Sequence, residues 1–215
     1  MVNNIYHFYH IYANGSWKDP VDQHIKALKK SGLYQEIKTL KIGLVGTSTR
    51  IQSVKDYLLS IDINFEVVAE SLTGWEQTTQ IPLHQFAQSN DGYVLYAHTK
   101  GAHSQQHPNI PWRETMIHFN VLKWKECVEA LKDHDTAGCF WIPSAPNSPE
   151  HSGHNGFYGG TFWWTTLKFI RTLPEPMLDH RWRAEGWIGI RQNIDGLKPF
   201  SFLPGSPGNY VALDV

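Results

Sequence analysis

"YVLYAHTKG", residues 93–101, is the stretch whose reading decides the fold. Tyr93 to Ala97 form an apolar, aromatic run with no charged residue, as in a strand covered on both faces of a sheet. His98, Thr99, Lys100 and Gly101 then switch abruptly to polar and flexible types. Strands covered on both faces belong to parallel α/β sheets, whose ligands bind outside the strands' carboxyl ends. The stretch therefore predicts a rigid strand that carries His98, Thr99 and Lys100 to a binding edge.

The flanking sequence continues the pattern. Strands are predicted over 4–12, 39–47, 64–70 and 93–98, from β-branched and aromatic runs bounded by turn residues. Helices are predicted from Asp19-Pro20 to Ser31 with Gly32 as the stop, from Ser48 to Leu59, and over 77–89. A long amphipathic helix follows from Pro111 to about 133, then a strand over 136–142. After Pro143 the periodicity gives way to a loop rich in Pro, Gly, Ser, Asn and His. A strand or turn at 161–164 and helices near 165–172 and 180–190 complete the chain. Strands alternating with helices predict an α/β fold, a central mostly parallel sheet flanked by helices on both faces. The expectation is one domain over residues 1–215.

Composition narrows the function classes. A net charge of -1 provides no bulk attraction to nucleic acid or to an anionic membrane. No apolar run approaches the roughly 20 residues of a membrane span. The N-terminus lacks the basic and apolar regions of a signal peptide. Cys127 and Cys139 form no C-x-x-C pair, so two reduced, buried thiols and a cytoplasmic location are expected.

The binding-edge rule sorts the candidate residues. Tyr12 and Ala13 follow strand one, Thr47 and Arg50 follow strand two, Glu70 follows strand three, and His98 to Lys100 follow strand four. Lys100 and Arg113, the latter in the first turn of the next helix, are read as exposed cations facing an anion such as a diphosphate. "GLVGTSTR" at 43–50 has only G-x-x-G, so it predicts a helix-opening turn, with no dinucleotide site. "KDHDT" at 132–136 contains D-x-D but precedes a strand, which puts it at the opposite edge. His98, His103 and His107 are close in sequence without a zinc spacing; of the three, His98 is the candidate metal ligand. His154 stands in the Gly-rich loop, where it is a candidate for a substrate hydroxyl.

"YAHTKG", "PWRETM", "GFYGGTFWWTTLKFIRTLP" and "RWRAEGWIG", taken together, resemble glycosyltransferases of the GT-A fold. "FYHIYANGSWKDPVDQHIKALKKSGL" at 8–33 is similar to the start of small bacterial and viral transferases of that group. The resemblance implies transfer of a sugar from a nucleotide sugar, such as a UDP-sugar, to a hydroxyl. The acceptor would be a glycan of a surface polysaccharide or lipopolysaccharide. It also admits a viral enzyme that glycosylates a DNA base, which the near-neutral charge disfavours, and a non-catalytic carbohydrate-binding domain. Residues 1–101 would be the nucleotide-binding half and 102–215 the acceptor and catalytic half. The family's D-x-D at the fourth strand tip holds Mn or Mg on the diphosphate. Here that position reads Ala97-His98-Thr99, which passes the electrostatic task to Lys100 and Arg113. Gly159, Gly160, Thr161, Trp163 and Trp164 match the loop that lines donor sugar and acceptor. Glu185 matches the position of the catalytic base, and His154 is the second choice for that role. The loop from Ala102 to Ile110 is expected to close over a bound donor.

Overall fold

The computed structural model describes residues 4–103, 108–143, 155–190 and 196–215. β1 (Ile5–Tyr12) lies between two parallel neighbours, β2 (Ile37–Val45) and β4 (Tyr93–His98), and β2 pairs in parallel with β3 (Glu66–Ser71). α1 (Lys18–Lys30), the short α2 (Leu33–Glu36), α3 (Ser48–Ser60) and α4 (Gln77–Ala87) connect these strands. The four parallel strands thus fall within a few residues of their expected places.

The C-terminal part extends the same sheet. β5 (Thr136–Gly138), β8 (Trp163–Thr166) and β9 (Pro199–Ser201) complete a seven-stranded order β3-β2-β1-β4-β8-β5-β9. β8 is inserted antiparallel between β4 and β5, while β5 and β9 are parallel. β6 (Trp141–Pro143) and β7 (Gly156–Tyr158) form a separate antiparallel pair. The strand expected over 136–142 is therefore two short strands in different sheets. Phe140, between them, adopts a left-handed φ of 62°.

The long helix expected from Pro111 is also interrupted. α5 (Asn109–Ile117) runs into a π turn (His118–Leu122) before α6 (Trp124–Ala130). Within the turn, the Asn120 carbonyl accepts from buried Trp164 Nε1 at 2.8 Å and Asn120 Nδ2 donates to the Met116 carbonyl. A widened turn in a helix commonly accompanies a carbonyl recruited from outside it. α7 (Leu167–Ile170) and α8 (Arg181–Gly186) are short, and α8 passes into a 3₁₀ turn at Trp187–Gly189.

Each face of the sheet has its own core. Ile5, Tyr9, Ile11, Leu44 and Trp164 pack with α1, α3, α5 and α6 residues such as Leu28, Val54, Ile117 and Cys127. Tyr6, Phe8, Tyr96 and Trp163 pack with Leu83 of α4, Leu167 of α7 and Trp187. Adjacent Trp163 and Trp164 thus fill opposite faces, as strand alternation requires. Cys127 and Cys139 are free and buried. No helix among the described residues is long and apolar enough to cross a membrane.

One polar pair is enclosed in the first core. His7 Nδ1 donates to the Leu95 carbonyl at 3.0 Å, so His7 Nε2 accepts from His24 Nε2–H at 2.7 Å. The His24 ring stacks on Tyr9. Burial lowers the His7 pKa to about 4 and puts His24 well below its ordinary value; burial likewise lowers His10 to about 4. All three stay neutral in the fold but bind a proton once unfolded below pH 6.5. Their stabilisation is whole above that pH and lost as pH falls toward 4. Urea unfolding should therefore show a midpoint that is level near pH 7 to 8 and declines toward pH 5. By pH 5 the loss is about 2 kcal/mol for each such histidine. His24→Phe should flatten that decline, and an equally steep one in the variant would refute this origin.

Candidate active site at the strand ends

The β1–β4 register pairs His10 with His98. Pairing extends one residue further, since Thr99 N donates to the His10 carbonyl at 3.0 Å and Tyr12 N donates to Thr99 Oγ1 at 2.9 Å. Gly101, at φ 83°, then turns the chain. The turn sends the Ala102 carbonyl to the Ser16 amide at 2.7 Å. The ends of β1, β2 and β4, the 72–76 loop and Arg181 surround a cleft of about 450 Å³, a size that accommodates a small-molecule ligand.

The cleft floor is polar and half-enclosed. His98 Nε2 donates to the Gly160 carbonyl at 2.8 Å, and its Nδ1 faces Glu76 Oε1 at 3.6 Å. Burial, assisted by the charge of Lys100, lowers the His98 pKa to about 3, so the ring is neutral at ordinary pH. His10 Nδ1 lies 2.8 Å from Thr79 Oγ1 of α4. Lys100 Nζ sits 3.6 Å above the Trp112 ring, while Trp112 Nε1 donates to the Gly159 carbonyl. Burial holds the Lys100 pKa below the usual lysine value, against the pull of Glu185.

Glu185, on α8, has a side chain 17% exposed, with Arg181 Nη2 at 3.9 Å from Oε1. Burial first, and then the charge of Glu76, raise its pKa above the ordinary carboxylate range, against Lys100 and Arg181. A helix of only six residues has little stability of its own. Buried α4 side chains hold it in place. Gln77 Nε2 donates to the His180 carbonyl at 2.7 Å and Gln80 Nε2 to the Ala184 carbonyl at 2.9 Å. Trp75, 42% exposed, and Leu72, 64% exposed, form an apolar rim.

Of the residues singled out from sequence, Tyr12, His98, Thr99 and Lys100 line this cleft. Thr99 is buried and occupied by the Tyr12 amide. Ala13 is fully buried, with its amide on the Val45 carbonyl. Thr47 caps α3, and exposed Glu70 pairs with Lys55. Arg50 borders a second, more open hollow beside Asn14 and Lys18. His154 lies outside the described residues, as do His107 and the centre of the loop expected to close.

Two expectations are corrected. Arg113 is no exposed cation: it is 2% exposed, with Nε donating to Gln23 at 2.7 Å and Nη1 to the Lys100 carbonyl at 3.0 Å. Its guanidinium fixes the strand-tip turn from behind. Gly159, Gly160, Thr161, Trp163 and Trp164, expected to line the sugar site, are instead all buried. Trp163 and Trp164 are fully sealed in the cores, where no ring face is free for stacking. Gly160, at φ 89°, presents its carbonyl to His98, and a Cβ there would strike Met116 and Trp112. Glu76, His10 and Arg181 were not among the candidate site residues singled out from sequence. The i, i+4 spacing of Arg181 and Glu185 was the one usable signal.

The strand tip carries no acidic pair of the D-x-D kind. Ala97 has no ligand atom, Thr99 is occupied, and the described residues hold no group of three or more His, Cys, Asp or Glu suited to a metal. The cation placed there by the chain is Lys100.

Residues 8–186 match a family described as a domain of unknown function (DUF8361), and the chain belongs to that family. No curated protein matches the chain in sequence. Among solved structures it is similar to 4-diphosphocytidyl-2C-methyl-D-erythritol synthase from Anaerococcus prevotii, at 12% identity and TM-score 0.49 over 94% of this chain and 90% of that one. It is also similar to HddC from Yersinia pseudotuberculosis, at 10% identity and TM-score 0.46 over 93% and 90%. Likenesses this distant carry no information about the chemistry of the cleft.

Removing Arg113 should act on stability. Arg113→Ala abandons the Gln23 and Lys100 partners in a buried setting and should cost about 2–4 kcal/mol in urea unfolding. A loss under about 0.5 kcal/mol, the surface norm, would show that the buried guanidinium is not structural.

Proposed function

We propose that this member of the family is a glycosyltransferase that moves a sugar from a nucleotide sugar to a hydroxyl acceptor in the strand-end cleft. The observation that carries this is a cleft lined by a half-buried lysine, Lys100, and an arginine, Arg181, with the protonatable carboxylate of Glu185 3.9 Å from Arg181 and under the charge of Lys100. Tyr12, Leu72 and Trp75 provide the apolar rim for the nucleoside. Lys100 and Arg181 hold the diphosphate. Arg181 takes the place that sequence reasoning gave to Arg113.

Glu185 is the general base in this proposal. It takes the proton of the acceptor hydroxyl as that oxygen attacks the anomeric carbon. The bond from that carbon to the diphosphate breaks, and its electron pair leaves on the phosphate oxygen, where Lys100 and Arg181 stabilise the charge. The raised proton affinity of Glu185 suits this role, since a stronger base accepts the proton more readily. A glycan acceptor is the proposed partner, in keeping with the resemblance of the sequence to GT-A enzymes.

A panel of sugar nucleotides, followed for transfer and for slow donor hydrolysis, tests the proposal. Glu185→Gln should retain donor binding and lose about 10²–10⁴-fold in transfer. Wild-type transfer by that variant would remove Glu185 as base. The wild-type rate should fall on the acid side through a pKa above the ordinary carboxylate value, because the deprotonated form is the active one. Lys100→Ala should weaken nucleoside diphosphate binding at least about tenfold, measured by calorimetry; unchanged affinity would remove Lys100 from the diphosphate site.

A further inference from the structure

Glu76 is a carboxylate placed where the fold makes no use of it. It is 8% exposed and directly precedes α4, yet its side chain does not cap the helix. It turns instead into the cleft. Its backbone oxygen accepts from the Thr79 and Gln80 amides and from Tyr96, but no hydrogen bond from a described residue reaches its side-chain oxygens. His98 Nδ1 stands 3.6 Å from Oε1, outside hydrogen-bonding range. The neutral His98 ring has one hydrogen, and the Gly160 carbonyl takes it at Nε2. Nδ1 therefore presents a lone pair. Two acceptors face one small volume of the cleft wall, with no donor supplied by the described residues.

A buried carboxylate without hydrogen bonds is costly, and the cost is relieved by a partner bearing donors. Hydroxyl groups are the matching chemistry, since each donates one hydrogen and tolerates a second acceptor nearby. A carboxylate set directly against Glu76 would be repelled by its negative charge. The position suits the sugar end of the donor, because Glu76 shares the cleft with Lys100 and influences Glu185 through charge. The geometry points to Glu76, with His98 Nδ1 beside it, as the specificity-determining pair that binds hydroxyls of a neutral donor sugar and rejects the corresponding sugar acid. This inference rests on the donor-binding role proposed for the cleft.

Calorimetry with UDP, GDP, dTDP, CDP and their common neutral sugar conjugates tests it in wild type and Glu76→Ala. Wild type should bind one conjugate more tightly than its bare nucleoside diphosphate and more tightly than the matching uronate. In Glu76→Ala the bare diphosphate should bind within about twofold of wild type, while the advantage of the neutral sugar drops about tenfold or more, the scale of a lost charge-assisted hydrogen bond. The preference over the uronate should shrink with it. A sugar advantage unchanged in Glu76→Ala overturns the inference and leaves the donor reading standing. So does an equal loss for conjugate and bare diphosphate, which would show that Glu76 acts through the phosphate end or the fold. Wild type binding no conjugate in the panel overturns the donor reading itself, and this inference with it. Should Glu76→Ala unfold, Glu76→Gln keeps the shape without the charge and is read by the same outcomes.

Discussion

The parallel pairing of β1 with β4, in the register that sets His10 beside His98, is the constraint on which the cleft depends. Parallel strands end together, so this one pairing places both imidazoles, the Thr99 hydroxyl and the start of the Lys100 turn on the same edge. A one-residue slip would turn these side chains to the other face of the sheet. The fold guards the register from both sides. Tyr12 N on Thr99 Oγ1 ties the tips together in front, and Arg113 on the Lys100 carbonyl braces the turn behind.

The cleft also depends on contacts distant in sequence. His98 is oriented by Gly160, and Lys100 is seated on Trp112. Trp112 is in turn bonded to Gly159. The glycine-rich turn before β8 thus works from beneath, as a brace for groups that face the cleft. Met116 packed against Gly160 leaves no room there for a side chain.

Much of the fold was legible in the sequence because period and punctuation are local. β1, β2 and β4, with the helices between them, follow from apolar runs and from turn residues such as Gly32. The antiparallel insertion of β8 was not legible, since Trp163-Trp164-Thr165-Thr166 has the same apolar look whether it faces a ligand or two cores. That ambiguity is what misdirected the aromatic residues. Arg113 was misjudged for a related reason: a charge in a first helical turn reads as exposed, and only the tertiary partner Gln23 reveals that it is buried. Tyr12, His98, Thr99 and Lys100 could be placed at this edge because strand ends are visible in sequence. The place of Glu76 in the cleft wall was not legible, because "LTGWE" at 72–76 is an ordinary polar turn until its neighbours are known.

The attachment of α8 to α4 has an evolutionary consequence. The backbone that carries Glu185 is held by the amides of Gln77 and Gln80, whose oxygens find no hydrogen-bond partner among the described residues. Neither glutamine lines the cleft. Mutations at these two positions can therefore move the carboxylate without replacing any residue that lines the cleft, which gives relatives a route to reshape its surroundings from within the fold.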